Sequence, residues 1–248
     1  LDGGLVDNAA HLARLARSLG ELAMRSPLDP ARIEAAQLEL VRRNALREGA
    51  LYLQVSRGAA DRDFAIPDVE PSLVMFTQEK KLVDNPAAER GWSIITVPDI
   101  RWRRRDIKTV QLLAPSMAKQ AALDAGADDA WMVEEGMVTE GTSNNAWILS
   151  GGQLVTRQLS HDILHGITRR AVLRLAAEAG LGVEERCFTV DEAQRAGEAF
   201  VTSATSFVMP VVRIDGRPVG DGKPGAVTRR LREVYVAEAR RDAADNRA

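Results

Sequence analysis

Cysteine is nearly absent: Cys187 is the only one in 248 residues. That excludes an intrachain disulfide and a cysteine-rich zinc site. Histidine is scarce too, with His11, His161 and His165 alone. His161 and His165 have the i, i+4 spacing of a helical chelate, but no third ligand stands near them. They are read as surface or pocket-rim residues, and no metal is expected. No apolar run reaches the roughly 18 residues needed to span a bilayer. No signal peptide is visible, so the cytoplasm is the default compartment. The net charge is only −2, and neither a nucleic acid nor an anionic membrane is expected as partner. GxGxxG, P-loop and GxSxG motifs are missing, as are internal repeats. The sequence starts at Leu1, without methionine, in what reads as the end of a strand or hairpin. Upstream N-terminal strands are therefore expected to be missing.

What is present is a chain 45% hydrophobic and 27% charged, long enough to build a sizeable core without staples. Asp2-Gly3-Gly4 reads as a turn and Asp7 as the N-cap of a helix over 9–24, with Leu12, Leu15 and Leu19 on one face. A second helix over 31–48 is ended by Gly49. Strands are predicted over 50–57, 72–77 and 93–98, with a polar, turn-rich stretch over 78–91. A basic extended segment, 101–108, precedes a helix over 116–125. Then come a strand over 130–133, a turn at Glu134-Glu135-Gly136, and a hairpin of strands 146–149 and 154–156 around Ser150-Gly151-Gly152-Gln153. A helix over 167–179 ends at Gly180. A strand over 183–188, a short helix near Asp191 and strands over 199–202 and 208–214 follow, with a turn at Asp215-Gly216. The last helix spans 226–240, and 241–248 reads as a frayed tail. Strands and helices mix without strict alternation, which is the α+β class. Two lobes are expected: a smaller N-terminal one over 1–98, truncated at its start, and a larger one over 99–248.

Lysine is the informative scarcity. Only Lys80, Lys81, Lys108, Lys119 and Lys223 occur, against 33 lysines and arginines together. Lys80 and Lys81 sit in a polar loop, Lys119 on a helix face and Lys223 in a turn; all four read as solvated charge. Lys108 follows Asp106-Ile107 and precedes the apolar run Val110-Gln111-Leu112-Leu113-Ala114, which places it where a strand meets the core. Partial desolvation among arginines lowers a lysine pKa and suits imine chemistry. A plain strand-end lysine is the alternative. In the run Arg101, Arg103, Arg104, Arg105, strand alternation would put three arginines on one face and Arg104 on the other; a solvated or salt-bridged strand is the simplest reading.

Five blocks then occur in order. They are His11-Leu12-Ala13-Arg14-Leu15; Asp106-Ile107-Lys108-Thr109 with Leu112-Leu113; Val138-Thr139-Glu140-Gly141-Thr142-Ser143-Asn144-Asn145; Ile163-Leu164-His165-Gly166-Ile167-Thr168-Arg169; and Phe200-Val201-Thr202-Ser203-Ala204-Thr205-Ser206. Together they resemble the fold-type IV pyridoxal-phosphate (PLP) enzymes, the class IV aminotransferases, over essentially the whole chain. The resemblance implies a two-lobed fold, pyridoxal 5'-phosphate as cofactor, and Lys108 as Schiff-base lysine and proton shuttle. It implies that Glu140 pairs with the ring nitrogen and that Arg101 neighbours the phenolic oxygen. Phosphate contacts fall to Arg14, Leu164, Gly166, Ile167 and Thr168, and to Ser203, Ala204 and Thr205, where Ala204 replaces a common hydroxyl. Ser143 and Asn144 join the cofactor-binding set. Elementary physics agrees with the phosphate turn, since a helix opening at Gly166 presents unpaired N–H groups and the dipole to an anion. Taken alone, Gly166-Ile167-Thr168 is an ordinary helix start and Glu140 a surface carboxylate beside a turn.

Within that family, Leu51-Tyr52-Leu53-Gln54-Val55-Ser56-Arg57-Gly58 followed by Arg62 is similar to the D-amino-acid branch. The resemblance implies that Arg62 binds substrate carboxylate across a homodimer interface. Phe64 stands where that branch carries a histidine. The expected substrates are a D-amino acid, such as D-alanine or D-glutamate, and a 2-oxo acid, pyruvate or 2-oxoglutarate. The alternatives are a branched-chain L-amino acid or (R)-amine transaminase, an aminodeoxychorismate-type lyase, and a non-catalytic protein of this fold.

Overall fold

The computed structural model describes residues 1–247; Ala248, the last residue of the expected tail and larger lobe, lies outside the described residues. Two compact units result, one of Leu1–Leu82 together with the stretch from Glu238, the other of Val83–Ala237.

The first unit holds α1 (Asn8–Glu21), α2 (Pro30–Arg43) and the antiparallel pair β1 (Gly49–Ser56) and β2 (Ser72–Glu79). Asp29 caps α2 by accepting from Arg32 N at 2.9 Å, with Pro30 preset for the first turn. Asp7 departs from expectation: its backbone is left-handed (φ 55°) and its side chain makes no cap bond, while its N–H donates to Asp242 at 2.6 Å. Helix α2 stops at Arg43 instead of Glu48, because Ala45 turns left-handed (φ 47°) and Leu46 N bonds back to Val41 O.

The second unit is a nine-stranded mixed sheet with helices. Its elements are α3 (Pro86–Arg90), β3 (Trp92–Pro98), α4 (Leu113–Asp124), β4 (Asp129–Glu134), β5 (Met137–Gly141), β6 (Asn145–Ser150) and β7 (Gln153–Thr156). Then come α5 (Ile167–Glu178), β8 (Val183–Glu185), α6 (Val190–Gln194), β9 (Glu198–Ser203), β10 (Phe207–Ile214), β11 (Arg217–Pro218) and α7 (Ala226–Asp245), which continues into the first unit's C-terminal stretch. Strand order is β5-β4-β3-β10-β9-β6-β7-β8, with β11 on β10. Strand β3, expected in the smaller lobe, lies in the middle of this sheet, parallel to both β4 and β10. β5 and β6 are consecutive in sequence yet far apart in strand order, so the sheet curls until the end of β5 meets the start of β6.

The core lies against this sheet. Ile94, Trp131, Val138, Ile148, Phe188, Val201 and Met209 form its main cluster; Trp131 meets Phe188 edge-on at 6.0 Å and Trp147 stacks on Phe200 at 5.4 Å. Each such side chain contributes about 1.5–3 kcal/mol on full burial. The β6–β7 hairpin closes through Gly151 and Gly152 at φ 59° and 81°, the left-handed pair that a two-residue turn demands.

Several local expectations are corrected. Residues 101–108 form no strand but an irregular loop, with Arg104 left-handed at φ 65°. β5 and α3 were not foreseen, the strand over 183–188 ends at Glu185, and helix α4 starts three residues early. Residues 241–245, expected to fray, continue α7. His161 and His165 lie in an irregular segment, not on a helix. Among the described residues no three His, Cys, Asp or Glu side chains are placed to hold a metal, and no helix is long and apolar enough to cross a membrane.

Candidate active site

Asp99, just past β3, starts the site. Its covered carboxylate takes a two-toothed ion pair from Arg101, at 2.9 and 2.6 Å, and a second cation, Arg105, at 3.1 Å. The Thr139 hydroxyl lies 2.7 Å from the same carboxylate. Burial works to raise the Asp99 pKa, yet Arg101 and the Thr139 hydroxyl hold it below the usual carboxylate range. Arg105 also reaches Glu134 at 2.9 Å, and its N–H donates to His161 O. Arg101 and Arg105 are therefore salt-bridged, as one of the two simple readings had it, but on a loop and not on a strand. They are nearly covered cations that fix the loop carrying Asp106, Ile107 and Lys108.

Arg101 passes from Asp99 to Glu140, to which its other terminal nitrogen donates. Glu140 is buried on β5, not a surface carboxylate. Its two oxygens also accept from Leu164 N, at 3.1 and 3.2 Å, and from Asn145 Nδ2 at 3.0 Å. Burial pushes the Glu140 carboxyl up, opposed by the Arg101 charge and by these hydrogen bonds. A carboxylate has about four acceptor positions; three donors leave about one, beside a helix start.

That helix is α5. Gly166 precedes it with extended backbone and no side-chain cap, so the first-turn N–H groups, including those of Ile167 and Thr168, have no intrahelical acceptor. Thr168 is buried at 2% exposure. A Cβ on Gly166 would stand 2.0 Å from Asn145 Oδ1 and 3.3 Å from Arg169 Cβ. Gly166→Ala must therefore push the Asn145 amide or the turn aside, an overpacking cost of about 1–3 kcal/mol. Thermal unfolding of the apoprotein is expected to fall by about 2–4 °C per kcal/mol lost; an unchanged midpoint would show that the turn accommodates the methyl group without strain. Arg169 does not face this opening: it is buried and bonded to Glu185 at 2.6 Å and Arg157 O at 2.9 Å.

Asn145 joins the pieces. It opens β6, pairs with Thr202 on β9, and donates to Leu164 O at 3.0 Å as well as to Glu140. Ser203 to Phe207 turn from β9 to β10 next to that pairing. Ser203 Oγ lies 2.6 Å from Ser206 Oγ and accepts from Ser206 N, while Ala204 and Thr205 are exposed. Glu140, Leu164, Gly166 and the strand end before Ser203 are thus brought together, with Arg101 behind Glu140.

Other expected residues fall elsewhere. Asn144 is buried but turned to Asp129, at 2.7 Å, together with Thr142 at 2.6 Å; Ser143 is exposed in that turn. Lys108 is exposed on its loop, not desolvated at a strand end, and the apolar run after it, Val110, Leu112 and Leu113, is exposed as well. Lys119 is not simple solvated charge: it donates to Asp128 O and sits 5.4 Å from the Trp92 ring centre. In the first unit, Arg14 lies 3.4 Å from His11 Nδ1, and burial lowers its pKa to about 10. Arg62 and Phe64 share an exposed loop, the guanidinium 5.7 Å from the ring centre. Asp99, Thr139, Arg105 and Asn145 were missed by sequence reasoning. Thr139 and Asn145 stood in the block around Glu140 and Arg105 in the arginine run, but nothing in the sequence singled them out; it is Asn145, not Asn144, that meets Glu140.

A family model described as amino-transferase class IV matches residues 2–214. The chain is 40% identical over 224 residues to a D-alanine aminotransferase of Bacillus licheniformis, covering 89% of this chain and 78% of the relative. It is 37% identical over 238 residues to one of Staphylococcus aureus (strain COL), covering 94% and 83%. A branched-chain amino acid aminotransferase of T.th., complexed with N-(5'-phosphopyridoxyl)-L-glutamate, superposes with a TM-score of 0.84 at 30% identity, over 96% of this chain and 80% of that one. The Escherichia coli branched-chain amino acid aminotransferase, at TM-score 0.87 and 20% identity over 96% and 81%, shares the fold.

Proposed function

The chain belongs to the class IV aminotransferases, and from that premise we propose that it uses pyridoxal 5'-phosphate to move an amino group from a D-amino acid, such as D-alanine or D-glutamate, to pyruvate or 2-oxoglutarate. The observation that carries the reading is the likeness to D-alanine aminotransferases over most of both chains. The branched-chain enzymes remain the second reading, since the solved structures similar in fold act under that name.

The residues fit the cofactor. A buried carboxylate with room for one more donor, a helix start without a side-chain cap and a hydroxyl turn are held together by Asn145. The lack of a Cβ at Gly166 lets the Asn145 amide pack directly against this helix start. When bound, pyridoxal phosphate supplies the aldehyde that takes up the amino group and the ring that withdraws electrons from the substrate carbon. Ile167 and Thr168 N–H groups, the Thr168 and Ser203 hydroxyls and the Ala204-Thr205 turn would hold its phosphate, with Leu164 in support. Glu140 would keep the ring nitrogen protonated, and Arg101 would hold Glu140 and neighbour the phenolic oxygen. Lys108 would anchor the cofactor and carry the proton at the substrate Cα. Ser143 and Asn144 serve by shaping the turn that follows Glu140.

Substrate choice rests on Arg62. A guanidinium fixes a carboxylate through two parallel bonds. Among the described residues Arg62 has no carboxylate partner. Asp63 instead accepts from Phe64 N at 2.6 Å, and the guanidinium stacks on Phe64, which is 94% exposed. Such a loop suits a role in the site of a partner subunit, so the assembly is read as a homodimer. Arg62→Ala should lower kcat/KM for D-alanine about 10–150-fold and change turnover of a carboxylate-free (R)-amine little. Mixing Arg62→Ala with Lys108→Ala subunits should restore D-alanine turnover, because one site per heterodimer then has both residues. Absence of restored turnover would place Arg62 in its own chain's site. The activity itself is tested by the visible band of the bound cofactor, which should bleach with D-alanine and persist with L-leucine; the reverse outcome favours the branched-chain reading.

A further inference from the structure

We propose that Asn145 is a positioning residue, whose amide clamps the Glu140 carboxylate to the Leu164–Gly166 turn so that this carboxylate can face the ring nitrogen. The inference rests on the reading of Glu140 as the ring-nitrogen partner and adds a residue that acts only through it. Asn145 is buried, and its single NH2 group donates to Glu140 Oε2 and to Leu164 O, both at 3.0 Å. Leu164 N in turn donates to Glu140. A closed ring of hydrogen bonds thus joins the carboxylate to the residue two before Gly166. On its other side the Asn145 amide is walled in: the Gly166 backbone comes so near that a Cβ there would stand 2.0 Å from Oδ1. The amide is thus packed between Glu140 and the helix start.

The chemistry follows from this clamp. Burial disfavours the charged form of Glu140, and each donor offsets part of that cost. Arg101 approaches Oε1, whereas Asn145 is the side-chain donor to Oε2. Without it, Oε2 becomes more basic and draws the proton shared with the ring nitrogen onto itself. A neutral amide suits this role, because it stabilises the carboxylate without adding a second cation that would compete with a protonated ring.

The test is the ring-nitrogen chemical shift of holoenzyme reconstituted with 15N-labelled pyridoxal phosphate. In the wild type the shift should be that of a protonated ring. In Asn145→Leu, which keeps the volume but removes the donor, the proton equilibrium should move from the ring toward Glu140 by about tenfold or more, and the shift toward unprotonated pyridine. Asn145→Ala, which admits water in place of the amide, should move it in the same direction by less, and supplies the readout where the leucine variant does not fold. Glu140→Gln is the control. If it moves the shift while folded Asn145 variants do not, the clamp is refuted and the Glu140 reading stands. If it too leaves the shift unchanged, the Glu140 reading itself fails, and the clamp with it.

Discussion

Lys108→Ala is expected to lower transamination by about 10⁴-fold or more, since it removes both the attachment point of the cofactor and the acid–base group at the substrate carbon. The competing lysines are few and now have structural reasons to be set aside. Lys119 is committed to Asp128 O, to Asp129 and to the Trp92 ring. Lys223 follows an Asp221 turn on the surface. Lys108 is exposed on a loop whose base is fastened by Arg105, through Asp99, Glu134 and His161 O, to the same network that holds Glu140. Borohydride reduction of the holoenzyme followed by peptide mapping should place the pyridoxyl label on Lys108. A label on Lys119 or Lys223 would overturn the assignment. Cofactor binding should survive in Lys108→Ala, because the phosphate and ring contacts come from other segments.

Glu140→Gln is expected to slow both half-reactions about 10–150-fold, the rate equivalent of one charge-assisted hydrogen bond of roughly 1.5–3 kcal/mol lost from the transition state. The substitution keeps the shape and the contact to Leu164 N but removes the charge that holds a proton on the ring. It also leaves Arg101 with Asp99 as its one carboxylate partner, so the arginine should stay in place and the fold should tolerate the change. Single-turnover rates with D-alanine and with the 2-oxo acid check this separately. Unchanged rates in both directions would remove Glu140 from the mechanism.

Legibility of the site followed the range of the interactions. Glu140 was visible as part of a block, yet its surroundings were not, and on its own it read as a surface carboxylate. Its donors come from Arg101, Asn145 and Leu164, segments that only the curl of the sheet unites. The run of arginines from Arg101 to Arg105 shows the same thing. Alternation suggested a solvated or salt-bridged strand; the salt bridges are there, but Asp99 and Glu134 draw Arg101 and Arg105 inward on a loop and Arg104 turns left-handed. Strand β5 was missed because Val138-Thr139-Glu140 has no alternating pattern when both of its faces are covered.

The sequence by itself determined what has a local cause. Asp29 and Pro30 start α2, Gly151-Gly152 turn the β6–β7 hairpin, and the ordered blocks around Lys108, Glu140 and Gly166 identify the family. Tertiary structure alone decided which side chains meet. It chose Asn145 over Asn144 as the partner of Glu140, buried Arg169 away from the helix opening, and made Asp99 the anchor of two arginines. The physical reason is that caps and turns are satisfied within a few residues. A buried charge must instead find its partners wherever the folded chain brings them, and that choice leaves no period or spacing in the sequence.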